Sequence, residues 1–75
     1  MIPKPGTILE NGAVVLTGME SRCGNIYVLC HWNKGGRPDG EYVSWRFFPD
    51  GSTEFGHYSE NFFDAVNQFK GRLDR

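Results

Sequence analysis

The sequence contains no long apolar run. Its longest stretch of consecutive aliphatic residues is Ala13–Leu16, far shorter than the roughly 20 apolar residues of a membrane-spanning helix. The first six residues include two prolines and lack the apolar core of a signal peptide. We therefore expect a cytoplasmic protein, or the intracellular cargo of a mobile element, and no membrane partner.

An excess of charge of one sign is also missing. The 8 basic residues are balanced by 9 acidic ones, which gives a net charge of −1. A chain with this balance has no long-range positive field to attract nucleic acid or anionic lipid. The charge therefore argues against a nucleic-acid partner.

Cysteines are few, and no metal-binding motif is present. Cys23 and Cys30 are separated by most of a predicted strand, about 23 Å, whereas a disulfide needs Cα atoms within about 7 Å. Both thiols are therefore predicted to be free. The chain lacks the paired spacing of zinc ligands, and the adjacent Cys30 and His31 point to opposite faces of a strand. We expect no metal and no other cofactor.

Motifs of catalysis are absent as well. Cys30 or Ser44 is a candidate nucleophile to pair with His57, but neither lies in an activating turn, and a buried cysteine is inert. The glycine-rich segment 34–37 precedes a predicted strand, whereas a phosphate-binding loop opens a helix. We therefore predict no catalytic residue and a protein that is not an enzyme.

Aromatic residues and glycine are abundant, and they favour short strands joined by tight turns. At 75 residues the chain is expected to form a single domain, residues 1–75. Asn-Gly at 11–12 and Pro-Asp-Gly at 49–51 are predicted hairpin turns. The pattern predicts loops at 18–24 and 33–40, and strands at Thr7–Glu10, Ala13–Thr17, Asn25–Trp32, Glu41–Phe48 and Thr53–Tyr58.

After Ser59 the apolar spacing changes to that of a helix. Steps of four, three and four residues separate the members of one stripe: Phe62, Val66, Phe69 and Leu73. Asn61 is the expected N-cap, with Ser59 as the alternative. The sequence thus predicts an α+β fold, in which a small antiparallel β-sheet of three to five strands forms a meander and one C-terminal helix packs on one face.

Alternation along the two central strands divides their side chains between two faces of the sheet. The more apolar face is expected to lie under the helix, and it carries Ile26, Val28, Cys30, Val43, Trp45 and Phe47. The opposite face is expected to be open, and it carries Tyr27, Leu29, His31, Tyr42, Ser44, Arg46 and Phe48. Because this face is too apolar for a bare surface, we predict that it is an interaction face.

The residue types on that face suit a protein partner. Tyrosine, phenylalanine and arginine are enriched at interface centres, and a core of this size gains stability from a partner subunit. The sequence therefore favours a small protein-interaction module that forms a homodimer, or binds another protein, through this face or an edge strand. The alternative is weak binding of single-stranded nucleic acid by the same aromatic and arginine side chains.

One set of motifs resembles a pattern in small bacterial proteins of no assigned activity. The set covers about the C-terminal half of the chain and consists of Tyr42-Val43-Ser44-Trp45, Gly56-His57-Tyr58, Ala65, Phe69 and Arg72. The resemblance implies a hairpin followed by a helix, and it implies no mechanism. Independently of it, Gly56 is expected to make room for a bulky neighbour such as Trp45.

Overall fold

The computed structural model describes residues 2–33 and 40–74. Four antiparallel strands lie side by side in chain order: β1 (Val14–Glu20), β2 (Ile26–Trp32), β3 (Glu41–Phe47) and β4 (Thr53–Ser59). One helix, α1 (Phe62–Leu73), follows them and packs on the sheet. This is the α+β meander with a C-terminal helix that the sequence predicts. Within the described residues, no helix has the length and apolar character needed to cross a membrane.

The Pro-Asp-Gly turn joins β3 to β4 as predicted. Gly51 has a φ of 90°, a left-handed conformation that glycine adopts without steric cost. Asp50 accepts hydrogen bonds from the hydroxyl and the backbone N–H of Ser52, and these bonds lower the pKa of its carboxyl group. The turn therefore holds β4 in register beside β3.

The N-terminal segment, residues 2–13, differs from the prediction. The expected strand at Thr7–Glu10 is reduced to one bridge between Ile8 and Val14. Residues 18–20, which were expected to form a loop, instead continue β1 and pair with β2. Gly18 serves a close approach rather than a turn, since a Cβ there would lie 2.8 Å from Cγ2 of Ile2. Most of the predicted loop at 33–40 lies outside the described residues.

The helix packs on the face of the sheet that was expected to be open. Ala65 and Phe69 of α1 form a buried cluster with Leu29 of β2. The guanidinium group of Arg72 donates a hydrogen bond to the carbonyl oxygen of Ser44 on β3. The sequence-based assignment of the two faces is therefore wrong.

The more apolar face has its own cover, which explains the error. Ala13 is fully buried against this face, and Leu9 packs beside it. The cluster that they complete consists of Val15, Val28, Cys30, Val43 and Trp45, with Trp32 and Phe47 at its margin. Alternation identifies which side chains share a face, but it does not say which of two covers lies on that face.

α1 begins directly after the predicted N-cap, Asn61, and Phe69 lies on its buried face as predicted. The side-chain oxygen of Asn61 accepts a hydrogen bond from the backbone N–H of Asp64, at 3.1 Å. Phe69 is buried, whereas Phe62 is 43% exposed and contacts the rings of Tyr42 and Phe63 edge-on. Burial of the predicted apolar stripe is therefore confirmed at Phe69 and not at its first residue, Phe62.

Candidate interaction surfaces

The seven residues of the predicted interaction face do not form one open surface. Leu29 and Ser44 are 3% and 0% exposed beneath α1. The remaining five are half-buried: Tyr27, His31, Tyr42, Arg46 and Phe48. The register of β2 and β3 places His31 opposite Tyr42, and Tyr27 opposite Arg46, near opposite ends of the strand pair. The helix therefore divides the predicted face into two smaller exposed parts.

β4 is one of the two outer strands and carries the most exposed aromatic side chains of the sheet. Phe55 and Tyr58 are 64% and 54% exposed. Glu54, which precedes Phe55, and His57, which lies between the two aromatic residues, are also exposed. Among the residues that the structure describes, no further strand pairs with the outer side of β4. This strand therefore presents an aromatic edge to solvent.

A β-bulge interrupts β4 at its centre. Phe55 and Gly56 both lie opposite Trp45 of β3. Gly56 is required at this point, since a Cβ on it would lie only 2.6 Å from Nε1 of Trp45, and the predicted role of Gly56 is confirmed. Phe55 has a φ of 56°, a left-handed conformation that costs a bulky residue about 1–2 kcal/mol. Such backbone strain at a residue whose side chain is largely exposed marks the bulge as a functional candidate.

Arg72 holds the bulge in place from the C-terminal part of α1. Its Nη1 donates to the carbonyl oxygen of Ser44 at 3.1 Å, and its Nη2 donates to the carbonyl oxygen of Phe55. The guanidinium carbon lies 5.4 Å from the centre of the Tyr27 ring, within the range of a cation–π contact. Arg72 is only 8% exposed, and it ties the helix to β3 and β4 at once.

A pocket of about 300 Å³ opens beside Arg72. It is lined by Tyr27, Arg46, Phe55, His57 and Arg72. Nη2 of Arg46 donates to the side-chain oxygen of Asn25 at 3.0 Å, and Nδ1 of His57 lies 2.9 Å from Oε1 of Gln68. His57 therefore contacts the middle of α1.

A larger apolar groove, of about 600 Å³, lies on the other face of the sheet. It runs between the N-terminal segment and the end of β3, and it is lined by Ile2, Pro3, Lys4, Thr7, Leu9, Phe47 and Pro49. Lys4 and Thr7 are its polar members. The groove therefore lacks the group of converging polar side chains that orients a ligand in most small-molecule sites.

The candidate nucleophiles and metal ligands lie apart or are inaccessible. Burial raises the pKa of the Cys30 thiol to about 12, and Cys23 is an exposed free thiol. Ser44 faces His57 across the β3–β4 pair, but it is fully buried and its Oγ has no hydrogen-bond partner among the described residues. Within the described part of the chain, no three His, Cys, Asp or Glu side chains come together as a metal site would require.

Comparison of the chain with protein-family models, curated proteins and solved structures gives no match. Function is therefore inferred from the exposed edge of β4, the arginine-lined pocket and the burial of the candidate nucleophiles.

Proposed function

We propose that this chain is a small, non-enzymatic protein-interaction module that self-associates by pairing β4 with β4 of a second copy. The observation that carries the proposal is the aromatic edge, where Phe55 and Tyr58 are 64% and 54% exposed on this outer strand. An edge strand offers unpaired backbone N–H and C=O groups, and apolar side chains along it favour association. A strand from another chain satisfies the backbone and covers the rings together.

A second copy suits this edge in charge and in geometry. With a net charge of −1, two copies repel each other little. Phe55 and Tyr58 lie on either side of the centre of β4, so a two-fold axis there brings both exposed side chains of each copy to the interface. Tyr58 lies on the Trp45 side of the sheet, and Phe55 lines the pocket on the α1 side, so pairing through β4 buries apolar surface on both faces.

The opposite edge of the sheet is less available. The backbone N–H of Gly6 and the carbonyl oxygen of Thr7 form hydrogen bonds with Val15 of β1, so the N-terminal segment already occupies part of that edge. An interface of standard size buries roughly 800 Å² per partner, about a sixth of the 4958 Å² surface of this chain. We therefore expect the side of α1 next to β4, which includes Gln68, to contribute to the contact.

Sedimentation velocity over a range of concentrations tests the proposal. The wild type should shift from monomer to dimer as its concentration rises. Phe55→Asn should weaken the dimer by about tenfold, the equivalent of 1.4 kcal/mol. Asparagine tolerates the left-handed conformation of position 55, so the variant should keep its fold and its melting temperature.

Phe63→Asn is the matched control for this variant. Phe63 is 76% exposed on α1. Gln68 is the residue of α1 that contacts β4, and Phe63 lies about 140° around the helix from it, so Phe63 faces away from the proposed interface. The Phe63→Asn variant should dimerise like the wild type. A wild type that stays monomeric at the highest concentration, or equal weakening by the two substitutions, would contradict pairing through β4.

A further inference from the structure

The pocket beside Arg72 is lined by basic side chains from three different elements of the fold. Arg46 comes from β3, His57 from β4 and Arg72 from α1, with the ring of Tyr27 on β2 as its floor. Its volume of about 300 Å³ is some ten times the roughly 30 Å³ that a water molecule occupies in the liquid. None of the described side chains that line it carries a carboxylate. The pocket is therefore large enough for a small ligand and has the charge to attract an anion.

Both guanidinium groups are held in place before any ligand arrives. Arg72 is oriented by the carbonyl oxygens of Ser44 and Phe55. Arg46 donates one hydrogen bond to Asn25, and its guanidinium carbon lies 4.7 Å from the centre of the Phe48 ring. An arginine whose planar group is fixed in this way loses little entropy when it binds an oxyanion through parallel N–H bonds.

Arg46 keeps most of its hydrogen-bonding capacity for a ligand. Its partner Asn25 is a neutral amide, and within the described part of the chain this bond uses one of the five N–H donors of the guanidinium group. Glu54 is the cross-strand neighbour of Arg46, yet Arg46 donates to Asn25 instead. His57 bonds to Gln68 through Nδ1, so Nε2 is the ring nitrogen that remains for a ligand.

We propose that this pocket binds an anionic oxygen group, a phosphate or a carboxylate, through Arg46, with Arg72 and His57 as the flanking polar groups. The strained backbone at Phe55 supports the same assignment. The bond from Arg72 to the carbonyl oxygen of Phe55 builds the wall of the pocket at the cost of a left-handed conformation, as binding sites often do. This inference goes beyond self-association and does not depend on it.

Titration of the full chain with inorganic phosphate and, separately, with sodium acetate tests the proposal. Calorimetry gives the affinity, and amide chemical shifts in NMR spectra give the position. We expect saturable binding of one of the two anions, with the largest shifts at residues 27, 46, 55, 57 and 72. Sodium chloride at equal ionic strength is the control for screening.

Three substitutions separate specific binding from general attraction of anions. Arg46→Gln should weaken binding at least tenfold, whereas Arg22→Gln, the same charge change at an exposed residue outside the pocket, should weaken it less than about twofold, as expected for a screened surface charge. Arg46→Lys keeps the charge but loses the planar fork, so its affinity should fall between these two. Circular dichroism and the melting temperature confirm that each variant is folded.

The source of the anionic group is resolved by a third probe, a short oligothymidylate. Binding of this strand that is tighter than that of phosphate and that is lost in Arg46→Gln would support the pocket and identify a nucleic-acid backbone as its ligand. Absence of saturable binding to phosphate and acetate, or equal losses in Arg46→Gln and Arg22→Gln, would overturn the proposal.

Discussion

Two glycines show that one residue type has opposite effects at two positions. Gly56 lies under the indole ring of Trp45, where an added Cβ would be 2.6 Å from Nε1 and 2.9 Å from Cδ1. Gly71 lies within α1, and an added Cβ there would meet nothing within 4 Å. The first glycine is required by a close approach, whereas the second weakens its helix.

Alanine substitutions at these two positions should therefore change stability in opposite directions. Gly56→Ala should lower the free energy of unfolding by about 1–3 kcal/mol through overpacking. Gly71→Ala should raise it by about 0.5–1 kcal/mol, because alanine loses less backbone entropy in a helix. Urea denaturation measures both values, and a Gly56→Ala variant as stable as the wild type would show that Trp45 moves aside freely.

The backbone conformation of Phe55 and the burial of Arg72 are two features that the sequence did not predict. A bulky aromatic residue is rarely found at positive φ, so nothing local in the sequence indicates the conformation of Phe55. Arg72 follows Ala65 by seven residues and Phe69 by three, which is the spacing of one helix face, but arginine side chains are mostly exposed in folded proteins. Only the carbonyl oxygens that β3 and β4 present to it make its burial favourable.

At the scale of the element, the side chains on the buried face of α1 pack it onto the sheet. Phe69 is 4% exposed and packs with Ala65 and Leu29, whereas Phe63 is 76% exposed. The N-cap bond from Asp64 to Asn61 fixes where the helix starts, and the contacts of Phe69 fix which side faces the sheet. Burial of this face, more than helix propensity, stabilises the element.

Phe69→Ala should therefore destabilise the protein by about 3–5 kcal/mol, because removal of a buried ring leaves a cavity. For a domain of 75 residues this loss is comparable with the total stability, so largely unfolded protein is expected. Phe63→Ala is the control, and its melting temperature should stay within a few degrees of the wild type. Similar melting temperatures for the two variants would contradict the packing of α1.

At the scale of the whole molecule, the sheet lies between two unlike covers. α1 covers the face that contains Leu29, and the N-terminal segment covers the face that contains Cys30 and Trp45. The indole N–H of Trp32 donates to the carbonyl oxygen of Asn11 at 3.0 Å, which fastens the second cover to the sheet. Cys30 is completely buried as a result, so its thiol reports on the integrity of this side of the molecule.

The two thiols should react with a thiol reagent at very different rates. Cys23 is exposed and should react at once, while Cys30, with a pKa raised to about 12 by burial, should react only as fast as the protein unfolds. In a Cys23→Ser variant only the reaction of Cys30 is observed, and the Cys30 thiol should react completely once denaturant unfolds the protein. A native Cys30 that reacts as rapidly as a free thiol would show that the N-terminal segment does not stay on its face.

The sequence by itself determined the order of the four strands and the helix, the Pro-Asp-Gly turn, the helix cap and the buried position of Phe69. These features depend on neighbours within a few residues, through turn chemistry, capping and the two apolar periods. Only the tertiary structure decided which face α1 covers, where the N-terminal segment lies and how Arg72 meets Phe55. Those outcomes depend on contacts between segments that are distant in the chain, such as α1 with Leu29 and Ala13 with the Cys30 face. Alternation within a strand is the same whichever cover lies above it.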